Sequence, residues 1–404
     1  MARSQTDAGG NAIITGLVEP GFEAVRDAFA HNFAHGREIG SALCVHLGGR
    51  RVVDLCGGTF DEDGDRPYGP GALQLVFSST KGATAVCANL LAQRGLLDVD
   101  APVVSYWPEF AAAGKETLPV RFLLSHQAGL PAIDRRLSAE EMRAWDPVAG
   151  ALAAQAPFWE PGTAHGYHAL SYGYLVGEVV RRISGRSLGT YFAEEVAAPL
   201  GLEFFIGLPA ELEDRVSPIV GANFGAAASE NMPSDYTKTL LARALNLGGA
   251  FRERDWMNRA EWHAAEVPGG NGITNATSLS RLYAGVIGPV EGFSSEPLLT
   301  REQVEKARTV LTSGRDQVFA SVGFPLRQKI GLGFWRSSPV TPFGGPGAFG
   351  HGGAGGSYGF ADPEHGLAVG YVMNKMSADA LGDPRARPIV KAVYASIGAE
   401  AEHL

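Results

Sequence analysis

Residues 349–360 read FGHGGAGGSYGF, and how one serine in them is read decides the fold. Gly355-Gly356-Ser357-Tyr358-Gly359 spells G-x-S-x-G, the elbow on which α/β-hydrolases present a nucleophile. An elbow needs a strand, a sharp turn at the serine, and a helix directly after it. Ser357 is followed by YGFADPEHG, where Asp362-Pro363 and a turn block a continuing helix. Sequence order disagrees too. In an elbow enzyme the acid and the histidine follow the serine; here only His365, in an expected turn, and His403, at the terminus, do so. With 53 glycines in the chain, the pattern is also easily met by chance. Ser357 is therefore read as part of a glycine-rich strand.

Working outward, GGSYGFADPEHGLAVGYVMN reads as two strands joined by a turn at Pro363-Glu364-His365-Gly366. Residues 330–336 are β-like, and a last helix is expected at about 384–398. At the other end, Phe22, Val25, Phe29 and Phe33 mark an amphipathic helix over 20–36. GSALCVHLGGRRVVDLCGG then reads as a hairpin turning at Gly48-Gly49-Arg50. In LQLVFSSTKGATAVCANLLAQRG a strand-like run passes into a buried helix. Ala83, Val86, Cys87, Leu90 and Leu91 lie on one face of that helix, and Gly95 ends it. From about 98 to 320 the text is mostly helical, most clearly at YLVGEVVRRISG, which stops at Ser184-Gly185. Strands at both ends with helices between do not make alternating βαβ units. The expectation is an α+β fold: an antiparallel sheet from both termini, covered by the terminal helices, with a helical insert. The corresponding parts are 1–97 with 325–404, and 98–324, with the active site at their interface.

The chain has 404 residues, 45% hydrophobic and 19% charged, with a formal charge of -9. Lys and Arg form no block, so nucleic acid is not an expected partner. Cys44, Cys56 and Cys87 sit among apolar residues with no CxxC spacing, which suggests reduced thiols and a cytoplasmic setting. The N-terminal residues lack the apolar core of a signal peptide. No apolar run approaches the roughly 20 residues of a transmembrane helix. The ten histidines show no HExxH-type spacing, so no metal or cofactor is expected.

Ser78-Ser79-Thr80-Lys81 is S-x-x-K, at the junction of the strand-like run and the helix. On a helix, side chains three apart share a face, about 5–6 Å apart at Cβ. A desolvated lysine can lose its proton and act as a base toward the hydroxyl. The positive end of the helix lies near a developing oxyanion. Ser79 has Gly82 at the same spacing, so only Ser78 has the lysine in register. By itself the motif also fits an N-cap serine followed by a surface lysine.

Three further segments shift that balance: LPVRFLLSHQAGLP at 118–131, EPGTAHGYHALSYGYLVGE at 160–178, and GHGGAGGSYGFADPE at 350–364. With the Ser78 segment, in this order, the chain from about 20 to 395 resembles the serine β-lactamase and penicillin-binding-protein superfamily. The nearest resemblance is to its family VIII carboxylesterases, which look like class C β-lactamases. The resemblance implies that Ser78 is the acylated nucleophile and Lys81 its activating partner. It makes Tyr167 the general base, with Tyr172 and Tyr174 as nearby rivals. A phenol can serve so only where cations favour phenolate. His351-Gly352-Gly353 stands where the family has K-T-G, and the Ser78 and Ala354 N–H groups would hold the oxyanion. His126 reads as a structural residue of its turn.

Two departures bear on substrate. The K-T-G cation, which would hold a substrate carboxylate, is replaced by His351. The asparagine of the family's Y-x-N is replaced by Ala169, which has no amide for an acylamide group. Both losses remove polar recognition and leave the acyl-transfer core, so the expected partner is a small, neutral, short-chain ester. Acyl transfer to an alcohol, weak β-lactamase activity and a non-enzymatic binding role are the alternatives. Trp159, Phe224 and Trp335 are expected to line the pocket together with His351, Gly352 and Gly353. Oligomeric state is not legible.

Overall fold

A computed structural model describes residues 12–221, 238–247, 255–377 and 383–403. Its strands are β1 (Ile14–Val18), β2 (Gly40–Leu47), β3 (Arg50–Gly58), β4 (Leu73–Leu75), β5 (Phe204–Phe205), β6 (Val216–Ser217), β7 (Ile273–Thr274), β8 (Trp335–Arg336), β9 (Phe349–Gly352), β10 (Tyr358–Asp362) and β11 (Leu367–Met373). The long helices are α1 (Glu23–Ala34), α2 (Thr80–Gln93), α3 (Ser171–Ser184), α4 (Ala276–Ile287) and α5 (Ala386–Ser396).

Seven strands form one sheet in the order β1-β3-β2-β11-β10-β9-β8, antiparallel throughout. The two chain ends meet at its centre, where β2 pairs β11 with Leu43 opposite Tyr371. The expected α+β architecture is thus present, with both hairpins where the turn residues put them. β1 had no readable signal: its ITGLV is largely exposed, with no apolar alternation. Gly16 lets it pair, because a Cβ there would fall 1.9 Å from the Asp54 carbonyl oxygen.

One face of the sheet is covered by α1 and α5, whose Val25, Phe29, Ile389 and Val393 pack on Leu43, Val45, Phe360 and Val369. The other face is covered by α4, which comes from the middle of the chain rather than from a terminus. Glycines in the strands make room for it: a Cβ on Gly370 would meet the Ala276 carbonyl at 2.5 Å. The 98–324 stretch therefore contributes a layer to the sheet as well as the helical part beside it.

A second, small sheet, β5-β7-β4-β6, leads into the Ser78 turn. It fixes β4 between β6 (parallel) and β7 (antiparallel), just before the chain turns into α2. α2 is rich in Ala and Leu and is buried from Thr80 to Leu91. It ends where Gly95 takes a positive φ of 70°. α3 packs beside it and ends in left-handed Gly185. Cys44, Cys56 and Cys87 are unpaired and buried. Among the described residues, no helix is long and apolar enough to cross a membrane.

Candidate active site

Ser78 lies in a 3-10 turn, Phe77–Ser79, that runs straight into α2. Lys81 follows one turn later, so the i, i+3 spacing brings Nζ within hydrogen-bond distance of Ser78 Oγ, at 3.0 Å. The lysine is completely buried. Its donations go to the carbonyls of Ala169, at 2.6 Å, and Gly269. Among the described residues no carboxylate partners it, and burial drives its pKa well below the usual 10.5.

Tyr167 arrives from the loop before α3, and its hydroxyl donates to Ser78 Oγ at 2.7 Å. The rival tyrosines are elsewhere. Tyr174 donates to the Met142 carbonyl at 2.9 Å. Tyr172 stacks on His126, with Lys81 Nζ 6.0 Å from its ring centre. Burial raises the Tyr167 pKa; the bond to Ser78 lowers it less, and the Asp316 carboxylate raises it further. The expected phenolate is therefore disfavoured. Burial pushes the lysine toward neutral amine and the tyrosine toward neutral phenol.

Ser357 is held away from this chemistry. Its hydroxyl donates to the Val76 carbonyl at 2.8 Å and lies 3.1 Å from Ser79 Oγ. It ties the start of β10 to the residues just ahead of the nucleophile. Gly353 completes the contact: a Cβ there would meet the Val76 carbonyl at 2.2 Å. Ser357→Ala is expected to keep activity within about threefold and to lose about 0.5–1.5 kcal/mol of stability, the net worth of a buried hydrogen bond, since the Val76 carbonyl still accepts from the Ser79 N–H at 3.1 Å. Parallel denaturant melts and ester assays check both halves.

Ala354 opens the short turn Ala354–Gly356 after β9, as Ser78 sits early in its own turn. The first N–H groups of a helical turn have no partner within it, which leaves both available to a ligand. His351 is fully buried between Trp335, with ring centres 3.9 Å apart, and Tyr167, at 6.4 Å. Its Nδ1 lies 2.7 Å from the Gly352 carbonyl, and Nε2 has no partner. Burial, with Lys81 nearby, holds it well below 6.5, so a neutral ring stands in place of the family's cation.

Trp159 and Trp335 both border the apolar cluster around Tyr167. Phe224 lies outside the described residues. Sequence reading missed the rest of that cluster: Leu241, Ala244 and Val318, with Phe319 at its edge. Phe319 brings its ring to 6.1 Å from Tyr167. Nothing in GRDQVFASVG marks it, because it reaches the site only through the turn that Asp316 caps. His126 does fix its turn, accepting from the His168 N–H at 3.1 Å. Among the described residues, no cluster of three or more His, Cys, Asp or Glu could hold a metal.

Buried histidines make the fold acid-sensitive. Burial pushes His168 down to about 4 and His46 to about 3, and holds His126 and His351 well below 6.5. Each folded pKa lies below the unfolded value of roughly 6.5, so the unfolded chain binds the proton first. Stability from these groups is whole above pH ~6.5 and is lost as pH falls below it, at about 1.4 kcal/mol per pH unit for each. Burial lowers His165 as well, while Glu38 and Asp316, raised by burial to about 8 and about 6, and Asp54, also raised by burial, pull the other way, three groups against five. Urea midpoints are expected to fall steeply between about pH 6.5 and 4.5; midpoints flat over that range would refute the assignment.

A half-buried serine bonded by both a lysine and a tyrosine, at the edge of an antiparallel sheet with helical layers, is the architecture of serine β-lactamases and penicillin-binding proteins. The Beta-lactamase family matches residues 25–393 of the chain. The esterase/beta-lactamase LipL of Mycobacterium tuberculosis (strain ATCC 25618 / H37Rv) is 34% identical over 378 residues, 90% of this chain and 83% of LipL. A family VIII carboxylesterase structure superposes with a TM-score of 0.83 at 37% identity, covering 95% of this chain and all of that one. EstA from Arthrobacter nitroguajacolicus Rue61a superposes at 0.85 with 33% identity, over 95% of this chain and 98% of EstA. The chain belongs to the Beta-lactamase family, and the resemblance read from its four segments holds.

Proposed function

We propose that the protein is a serine carboxylesterase that hydrolyses small, neutral, short-chain esters through an acyl-enzyme on Ser78. The observation that carries this reading is Ser78 Oγ bonded at once to Lys81 Nζ and Tyr167 Oη. The chain is a carboxylic ester hydrolase of the Beta-lactamase family. With Lys81 neutral, two N–H bonds stay on the Ala169 and Gly269 carbonyls and the lone pair faces Ser78 Oγ. That lone pair takes the serine proton as Oγ attacks the ester carbonyl. The Ala354 and Ser78 N–H groups hold the oxyanion. As the tetrahedral species collapses, Tyr167 gives its proton to the departing alcohol and the Lys81 ammonium makes good the loss. Water then repeats the sequence from the acyl-enzyme and releases the acid.

The preference for neutral substrates rests on the uncharged His351, the missing amide at Ala169, and the apolar surround of Tyr167 formed with Trp159, Trp335 and Phe319. Ser78 and Lys81 come from the part formed by 1–97 and 325–404, and Tyr167 from 98–324, so on this reading the site lies where the two parts meet. The buried, unpaired cysteines fit a reducing, cytoplasmic setting.

LipL carries both activities in its name, so the test has two arms. kcat/KM for p-nitrophenyl butyrate is expected to exceed that for nitrocefin by about 100-fold or more, since the groups that would hold a β-lactam carboxylate and amide are gone. Intact-mass measurement is expected to show one acyl group, located on Ser78. Nitrocefin turnover equal to ester turnover would sink the neutral-substrate reading, and an adduct on any other residue would sink the nucleophile.

A further inference from the structure

Behind the glycine turn at 354–356 lies a cation that the chemistry above does not use. Arg385, just ahead of α5, is 1% exposed. Every nitrogen of its guanidinium is engaged. Nε bonds the Asp383 carboxylate at 2.9 Å, and Nη2 bonds the same carboxylate. Nη1 bonds the Lys375 carbonyl at 2.8 Å and Glu38 at 3.1 Å. Nη2 also donates to the carbonyl of Gly355, in the middle of the turn. Glu38 is in turn bonded by the Tyr371 hydroxyl from the centre of the sheet.

The turn is closed by its own backbone, Gly353 N–H to the Ser357 carbonyl at 2.7 Å and Gly356 N–H to the Gly353 carbonyl at 3.2 Å, but neither bond engages the Gly355 carbonyl. Gly355 and Gly356 both hold positive φ, 79° and 124°, and have no side chains to pack. A Cβ on Gly356 would fall 2.3 Å from Arg385 Nη2, so the guanidinium passes where only glycine leaves room. The Ser377 N–H also donates to the Gly355 carbonyl, at 3.0 Å. A buried cation with two carboxylates is a poor way to stabilise a fold, because desolvation opposes the attraction. It is a good way to hold one carbonyl in one direction.

We propose that Arg385 is the positioning residue of the oxyanion turn: its guanidinium holds the Gly355 carbonyl and thereby aims the Ala354 N–H. This rests on the reading that Ala354 N–H binds the oxyanion. A donor there must lie about 2.7–3.1 Å from the developing charge, and a displacement of about 1 Å costs on the order of 100-fold in rate.

The test compares Arg385→Gln, Arg385→Lys and Ala354→Pro, each checked by thermal melt. The readouts are kcat and KM for p-nitrophenyl butyrate and the affinity for phenylboronic acid, whose tetrahedral adduct on Ser78 presents an oxygen to the same N–H groups. Arg385→Gln is expected to lower kcat about 10- to 100-fold at a KM within about threefold, and to weaken boronate binding by a similar factor. Arg385→Lys is expected to recover part of the loss. If the Gln variant does not fold, the Lys variant is read alone, with about a 10-fold fall in kcat expected at unchanged KM. Folded Arg385 variants within about twofold of the parent in both kcat and boronate affinity would overturn the proposal. Ala354→Pro removes the N–H itself and separates the two levels. Loss there without loss at Arg385 overturns the positioning role alone. No loss at Ala354→Pro overturns the oxyanion reading, and the proposal falls with it.

Discussion

Ser78→Ala is expected to lower kcat toward a p-nitrophenyl ester by about 10,000-fold or more and to abolish the acyl adduct. Removing the nucleophile of a hydrolase leaves only what binding and the oxyanion donors can do for direct attack by water. The fold is expected to survive. Lys81 keeps the Ala169 and Gly269 carbonyls, and Tyr167 stays packed between His126, Trp335 and Phe319. A melt unchanged within error, steady-state rates and an intact-mass spectrum decide the matter. Retained turnover in a folded Ser78→Ala protein would remove Ser78 from the chemistry and reopen the question posed by Ser357.

The second large effect separates the serine's two partners. Lys81→Met keeps the length of the side chain but removes the proton acceptor. It is expected to lose about 1,000- to 10,000-fold in kcat with every ester, in line with the upper range for general base catalysis. The variant also leaves two buried carbonyls without a donor, at a cost of about 1–3 kcal/mol each, so a lower melting point is part of the expectation. Tyr167→Phe keeps the ring and removes one proton. Its loss is expected to depend on the leaving group: about 10- to 100-fold with a nitrophenyl ester, whose phenolate departs unprotonated, and larger with an ethyl ester, whose alkoxide must be protonated. Equal losses on both esters would show that Tyr167 is not the proton donor. The pH profile adds a sign. Burial lowers the Lys81 pKa, so the amine is already neutral well below its ordinary 10.5. kcat/KM is therefore expected to stay flat through the alkaline range where an unperturbed lysine titrates. A rise continuing toward pH 10 would mean that the lysine rests as an ammonium ion.

Much of the site was legible in the chain because its signals are local. Ser78 and Lys81 are three residues apart, and helical geometry alone puts them on one face. The turn at Pro363–Gly366 rules out an elbow at Ser357 without any knowledge of the fold. The periodicity of α2 and the hairpin at Gly48-Gly49 needed no tertiary information either. β1 and Phe319 were illegible for the opposite reason. β1 pairs because Gly16 fits against the Asp54 backbone, and Phe319 reaches Tyr167 through a capped turn that no periodicity announces.

What the amino-acid sequence by itself determined is the kind of chemistry available: one serine with a lysine in register, a tyrosine ahead of a helix, and a histidine and an alanine where a cation and an amide would recognise other substrates. Those are properties of side-chain type and short spacing. The tertiary structure decided their charge states and their supports. Burial against two anonymous carbonyls, 88 and 188 residues away, with no carboxylate partner among the described residues, lowers the Lys81 pKa toward the neutral amine that the proposed base needs. Burial likewise favours the protonated Tyr167 phenol that the proposed proton donor needs, and Arg385 bonds the glycine turn from behind. Desolvation and backbone hydrogen bonding depend on what the folded chain brings close, and neither is carried by residue identity.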